Sequence, residues 1–111
     1  MYKTSKSPRK VLLTAYAVAR DALPQYAHRF SPRKFTQHQL LAVLVLKEFC
    51  RCDYRKVAAL LTDCPELCRA IDLKAVPHFT TIQKAAQRLL ILPKAKALLR
   101  STLELARKKS S

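Results

Sequence analysis

A chain of 111 residues without a single glycine has poor access to the backbone conformations that β-hairpins need. The favoured two-residue hairpin turns require positive φ, which glycine supplies most readily, and an average chain holds about 7% of it. Runs of β-branched residues that would mark strands are also missing. Half of the chain is hydrophobic, so there is ample material for a core. The sequence therefore predicts an all-α fold, a small bundle of about five to six helices, with Pro, Asp and Ser at the joints. At this length a single domain buries a core without staples.

Residues 1–8 form a basic, Ser-rich stretch that reads as a flexible tail, residues 9–106 as the helical domain and residues 107–111 as a second basic tail. A first helix is expected from Pro8 to Leu23, stopped by Pro24. The segment QYAHRFSPRKF links it to a second helix, which Thr36 opens with Gln39 as its capping-box partner and which runs to about Arg51. Leu40, Leu41, Val43, Leu44, Val45 and Leu46 go nearly all the way round that helix, making it the one that the others pack against. Asp53 caps a third helix with Tyr54, Val57, Leu60 and Leu61 facing inward. Pro65 sits in the first turn of a short fourth helix, where its missing N–H does no harm. The stretch VPHFTTIQKAAQRL supplies a fifth, with Thr80 as N-cap and Gln83 completing a capping box. Pro93 ends that helix, and KAKALLRSTLELARKK makes a sixth.

The chain carries 22 Lys and Arg against 7 Asp and Glu, a formal charge of +15, far beyond what solubility asks for. The basic residues run from Lys3 to Lys109 rather than being confined to one tail, so the folded body itself carries positive potential and a polyanionic partner is expected. The longest apolar run, LLAVLVL, falls well short of the roughly 20 residues that span a bilayer. The opening MYKTSKSPRKVLLTAYAVARDA has the basic start, apolar stretch and Ala-Val-Ala of a signal peptide. Arg20 and Asp21 nevertheless continue an amphipathic pattern with Leu12, Tyr16, Ala19 and Leu23 on one side, and an ordinary first helix fits better.

Catalytic chemistry finds little support. The carboxylates Asp21, Glu48, Asp53, Asp63, Glu66, Asp72 and Glu104 are scattered, and several are explained as caps or first-turn charges. There is no Gly-rich phosphate loop, and no Ser, His and Asp spacing that points to a nucleophile. Cys50, Cys52, Cys64 and Cys68 have the chemistry for a tetrahedral zinc site, but their spacing matches none of the common paired patterns, so free thiols of a cytosolic protein are expected and no metal or other cofactor is assigned. His28, His38 and His78 are isolated in sequence and read as packing or phosphate-side residues.

The nucleic-acid signal is a helix pair. A short helix at 54–62, a turn holding its own small helix and a capped helix at 80–91 make an extended helix-turn-helix arrangement, whose last helix enters the major groove N-terminus first. Stepping about 100° per residue from Ile82 puts Ala85, Ala86, Leu89 and Leu90 on one side of that helix and Thr81, Gln83, Lys84, Gln87 and Arg88 on the other. Gln pairs with adenine, Lys or Arg with guanine or phosphate, and Thr touches the thymine methyl. Thr80 and His78 stand at the start of the helix, where backbone amides also hold a phosphate. Arg33, Lys34, Arg55 and Lys56 are candidates for phosphate contacts.

Three segments, HRFSPRKFTQHQLLAVLVLKEF, DYRKVAALL and VPHFTTIQKAAQRL, resemble in order and spacing the N-terminal region of bacterial insertion-sequence transposases of the DDE type. The resemblance covers residues 26–92, and DYR and VPHFTT are its most specific pieces. It implies a helical DNA-binding portion that engages the terminal inverted repeats of the element. In that family a ribonuclease H-like domain follows, with two Asp and one Glu that bind divalent metal for strand cleavage and joining. The chain stops at ELARKKSS, before the family's first catalytic Asp. The expectation is a truncated or separately encoded N-terminal piece, not an enzyme by itself, working on the nucleoid in the bacterial cytoplasm. The alternative is an interaction fragment that pairs with itself or with full-length transposase as a regulator. RNA binding by charge alone is a third reading.

Overall fold

The structure, a computed structural model, describes residues 7–25 and 34–109, with side chains described as far as residue 105. The described residues form six helices and no strand: α1 (Pro8–Ala22), α2 (Gln37–Cys50), α3 (Tyr54–Asp63), α4 (Pro65–Ala70), α5 (Phe79–Leu89) and α6 (Pro93–Lys109). The all-α bundle expected from the missing glycine is what forms.

Most helix starts follow from local chemistry. Ser7 caps α1 by accepting from the Lys10 N–H, with Pro8 at the first helical position. Thr36 and Gln39 form the expected reciprocal capping box at α2. Asp53 accepts from the Lys56 N–H at 2.7 Å to start α3. The fifth helix departs from the expectation. Its N-cap is His78, not Thr80, and no Thr80–Gln83 capping box forms; the His78 side chain accepts from the Thr80 N–H, while Thr81 and Ile82 donate to the His78 carbonyl. The imidazole supplies the acceptor that a hydroxyl was expected to supply, so the first turn begins earlier and takes in Phe79. At its other end α5 stops at Leu89 rather than Ile91, because the Leu92 N–H folds back to the Leu89 carbonyl at 3.1 Å.

The core is built around α2. Leu40, Leu41, Ala42, Val43, Leu44, Val45 and Leu46 are all buried, and α1, α3, α5 and α6 pack around them. Helix α1 contributes Val11, Leu12, Ala15 and Ala19, α3 contributes Val57 and Leu61, and α5 contributes Ile82, Ala85, Ala86 and Leu89. Tyr16, Leu23, Tyr54 and Leu60, expected to face inward, are half-buried against this core.

Buried polar groups lock the connections. Gln37 Nε2 donates to the Pro24 carbonyl at 2.9 Å, and His38 Nε2 lies 2.7 Å from the Leu23 carbonyl, so the start of α2 is tied to the end of α1. Gln39 Nε2 donates to the carbonyls of Ile71 and Asp72, which fastens the segment between α4 and α5. No buried side-chain N or O among the described residues lacks a partner. Among the described residues, two helix ends need a left-handed residue and find no glycine: Arg51 (φ 55°) after α2 and Asp72 (φ 58°) after α4. Each is closed by the long backbone bond of a Schellman turn, from Cys52 N–H to the Lys47 carbonyl and from Leu73 N–H to the Cys68 carbonyl.

Candidate nucleic-acid interface

Helix α5 is held from both sides. Its apolar face sits on α2 and α3, and the segment leading into it is fixed by the two bonds from Gln39 and by a fully buried Pro77. Its outer face is therefore carried on a rigid support. Gln83, Lys84, Gln87 and Arg88 are exposed along it and Thr81 is half-exposed, the division predicted from periodicity. The arrangement presents two amides and two cations at the spacing of successive helical turns, the donor and acceptor set suited to base edges and phosphates.

The start of α5 is more tightly organised than the sequence implied. His78 Nδ1 lies 2.8 Å from Thr80 Oγ1 and 3.3 Å from the Thr80 backbone nitrogen, so with Nδ1 unprotonated it accepts from both. The His78 ring lies against the Phe79 ring, with centroids 4.5 Å apart. Arg55, from α3, places its Cζ 4.4 Å from the centroid of that same Phe79 ring. Arg55, His78 and Thr80 are thus brought together, with Phe79 as the residue that joins them. Nothing in the sequence marked Phe79 for this, because Arg55 and Phe79 meet only when α3 packs on α5.

Lys56 is exposed on the first turn of α3. Lys34 is exposed too, and its described contact is local, with Nζ 5.6 Å from the Phe35 ring centroid. Arg33 and His28 lie outside the described residues. Among the described residues one ion pair occurs, Lys47 with Glu48 at 2.8 Å. Burial pulls the Lys47 pKa down, but the hydrogen bond and charge of Glu48, together with Tyr54 and Cys52 beside it, outweigh that effect and its pKa is raised. Lys34, Arg55, Lys56, Lys84 and Arg88 have no carboxylate partner among those residues. Their charge is open to an outside anion.

The cysteines lie elsewhere. Cys52 Sγ donates to the Lys47 carbonyl, and Cys68 Sγ donates to the Leu61 carbonyl at 3.5 Å. Burial pushes both thiols above the usual range, the opposite of what a reactive thiolate needs. No three His, Cys, Asp or Glu among the described residues are grouped to hold a metal. Cys68 lines a surface pocket of about 270 Å³ with Leu61, Pro65, Arg69, Leu73 and Val76, and no carboxylate shares that lining. No described helix is long and apolar enough to cross a membrane. Compared with known proteins, the chain matches no protein-family model, no curated protein and no solved structure.

Proposed function

We propose that this chain is a DNA-binding module of the kind found at the N-terminus of insertion-sequence transposases, with α3, α4 and α5 acting as an extended helix-turn-helix and α5 lying in the major groove. The observation that carries the reading is the outer face of α5, where Gln83, Lys84, Gln87 and Arg88 are exposed on a helix whose other face is locked into the core. Under it Gln83 and Gln87 read base edges, with Thr81 beside them, and Lys84 and Arg88 reach guanine or phosphate. Thr80 and His78 stand at the end that enters the groove first, while Lys34, Arg55 and Lys56 contact phosphates. The role assigned to the chain is binding, not chemistry, and the terminal inverted repeats of a mobile element are the duplex it would engage.

Selection of bound sequences from a pool of random duplexes tests the reading. Enrichment of a defined sequence, lost in the Gln83→Ala and Gln87→Ala variants, supports it. Binding with no sequence preference, or tighter binding to structured RNA than to duplex DNA at physiological salt, overturns it.

A second reading has its own observation. Ile91 is 79% exposed, with Leu92 at 47% and Leu105 at 40%, apolar surface that a protein partner would cover. A second copy of the chain or a full-length transposase is the partner under that reading. A monomer at high concentration in sedimentation, with no co-purifying transposase, counts against it.

A further inference from the structure

The first turn of α5 does not need an aromatic ring, yet Phe79 occupies its first position half-buried, with the His78 ring packed against it at 4.5 Å. The Arg55 guanidinium lies over the Phe79 ring at 4.4 Å, well inside the range of attraction between a cation and an aromatic face. A comparable contact places Lys47 over Tyr54 at 4.7 Å, but that ammonium is already bonded to Glu48. Arg55 is exposed and has no carboxylate partner among the described residues. An arginine stacked on a ring loses rotamer freedom before a ligand arrives, while its N–H groups, which lie in the guanidinium plane, stay open to acceptors. A planar donor fork held in this way matches two oxygens of one phosphate.

We propose that Phe79 is a positioning residue, holding the Arg55 guanidinium at the start of α5 so that it clamps a backbone phosphate of duplex DNA beside the groove that α5 enters. The inference rests on the reading of α5 as the DNA-facing helix and names the phosphate anchor of that site. Phe79 itself touches no DNA; it acts through Arg55.

The test measures affinity of the full chain for a mixed-sequence DNA duplex by fluorescence anisotropy, because a phosphate contact carries no sequence information. Arg55→Ala is expected to weaken binding about tenfold or more. Phe79→Leu is expected to weaken it about twofold to fivefold, and Phe79→Tyr, which keeps the ring, to bind as the parent does. The decisive variant is Arg55→Ala with Phe79→Leu, which binds no more weakly than Arg55→Ala alone if the ring acts through the guanidinium. Equal loss from Phe79→Leu in both backgrounds, or no loss in either, overturns the inference. Circular dichroism establishes that each variant is folded, and Phe79→Met replaces Phe79→Leu if that variant unfolds. A parent chain that binds no duplex overturns the DNA-facing reading and this inference with it; a parent that binds without coupling between Arg55 and Phe79 overturns the inference alone.

Discussion

Gln39 Nε2 donates to the Ile71 carbonyl at 3.1 Å and to the Asp72 carbonyl at 2.9 Å, while its Oε1 accepts from the Thr36 N–H at 3.0 Å. One side chain therefore closes the start of α2 and fixes the segment that delivers the chain to α5. Gln39→Ala leaves the buried Ile71 carbonyl without this donor, at a cost of about 2–3 kcal/mol. Thr36→Ala removes only the hydroxyl side of the cap and is expected to cost about 1 kcal/mol. Denaturant unfolding of both variants checks the ordering.

The outer face of α5 contributes little to the fold. Gln83→Ala and Gln87→Ala are expected to change stability by less than about 0.5 kcal/mol, since both side chains are exposed. The same substitutions should reduce discrimination between preferred and altered duplexes by about 1–3 kcal/mol. Melting curves read the first effect and competition binding the second. A variant that lost both together would mean the face is structural.

The thiols give a pH-dependent signature. Burial raises the Cys68 and Cys52 pKa values, so at neutral pH less thiolate is present than in the unfolded chain. The stability these protonated thiols contribute is intact below the ordinary thiol range and is lost as pH rises through the raised folded values. Alkylation by iodoacetamide, followed by mass spectrometry, should be slow at Cys68 in the native protein, faster as pH rises, and fast once denaturant is added. Rapid native labelling of Cys68 at neutral pH would contradict its burial.

Ile91 contributes almost no buried surface, with 79% of it exposed. Ile91→Ser should leave the unfolding free energy unchanged within about 0.5 kcal/mol in denaturant unfolding. If the second reading holds, the same change weakens self-association in analytical ultracentrifugation.

Several helix boundaries were legible where a short polar residue or a proline set them, but Pro93, expected to end the fifth helix, stands instead at the first position of α6, after α5 has already ended at Leu89. Thr36 and Asp53 cap as expected, and Pro8 and Pro65 sit at first helical positions, while Ser7, assigned in the sequence to the basic tail, turns out to cap α1. The unbroken apolar run from Leu40 to Leu46 announced the central helix, and the periodicity from Ile82 to Leu89 divided α5 correctly into an inner and an outer face. His78 was missed as a cap because imidazole is not among the favoured N-cap groups. Gln39 was legible as the capping-box partner of Thr36, but its bonds to the Ile71 and Asp72 carbonyls, and that of Gln37 to the Pro24 carbonyl, join segments distant in sequence that no local pattern brings together. The contact of Arg55 with Phe79 belongs to the same class. It exists only once two helices have packed, and no local pattern encodes it.

The left-handed backbone at Arg51 and Asp72 has a thermodynamic reach beyond those two turns. Glycine loses more freedom on folding than any other residue, so a chain without it starts from a stiffer denatured ensemble and surrenders less disorder along its whole length. The compensation is concentrated: two side-chain-bearing residues sit where Cβ crowds the following carbonyl, at about 1–2 kcal/mol each. Glycine at either site would relieve the crowding there and loosen the unfolded chain at the same position, so the two effects would work against each other. Among the described residues the backbone strain of a glycine-free chain falls at these two turns, while the saving in disorder is spread along the sequence.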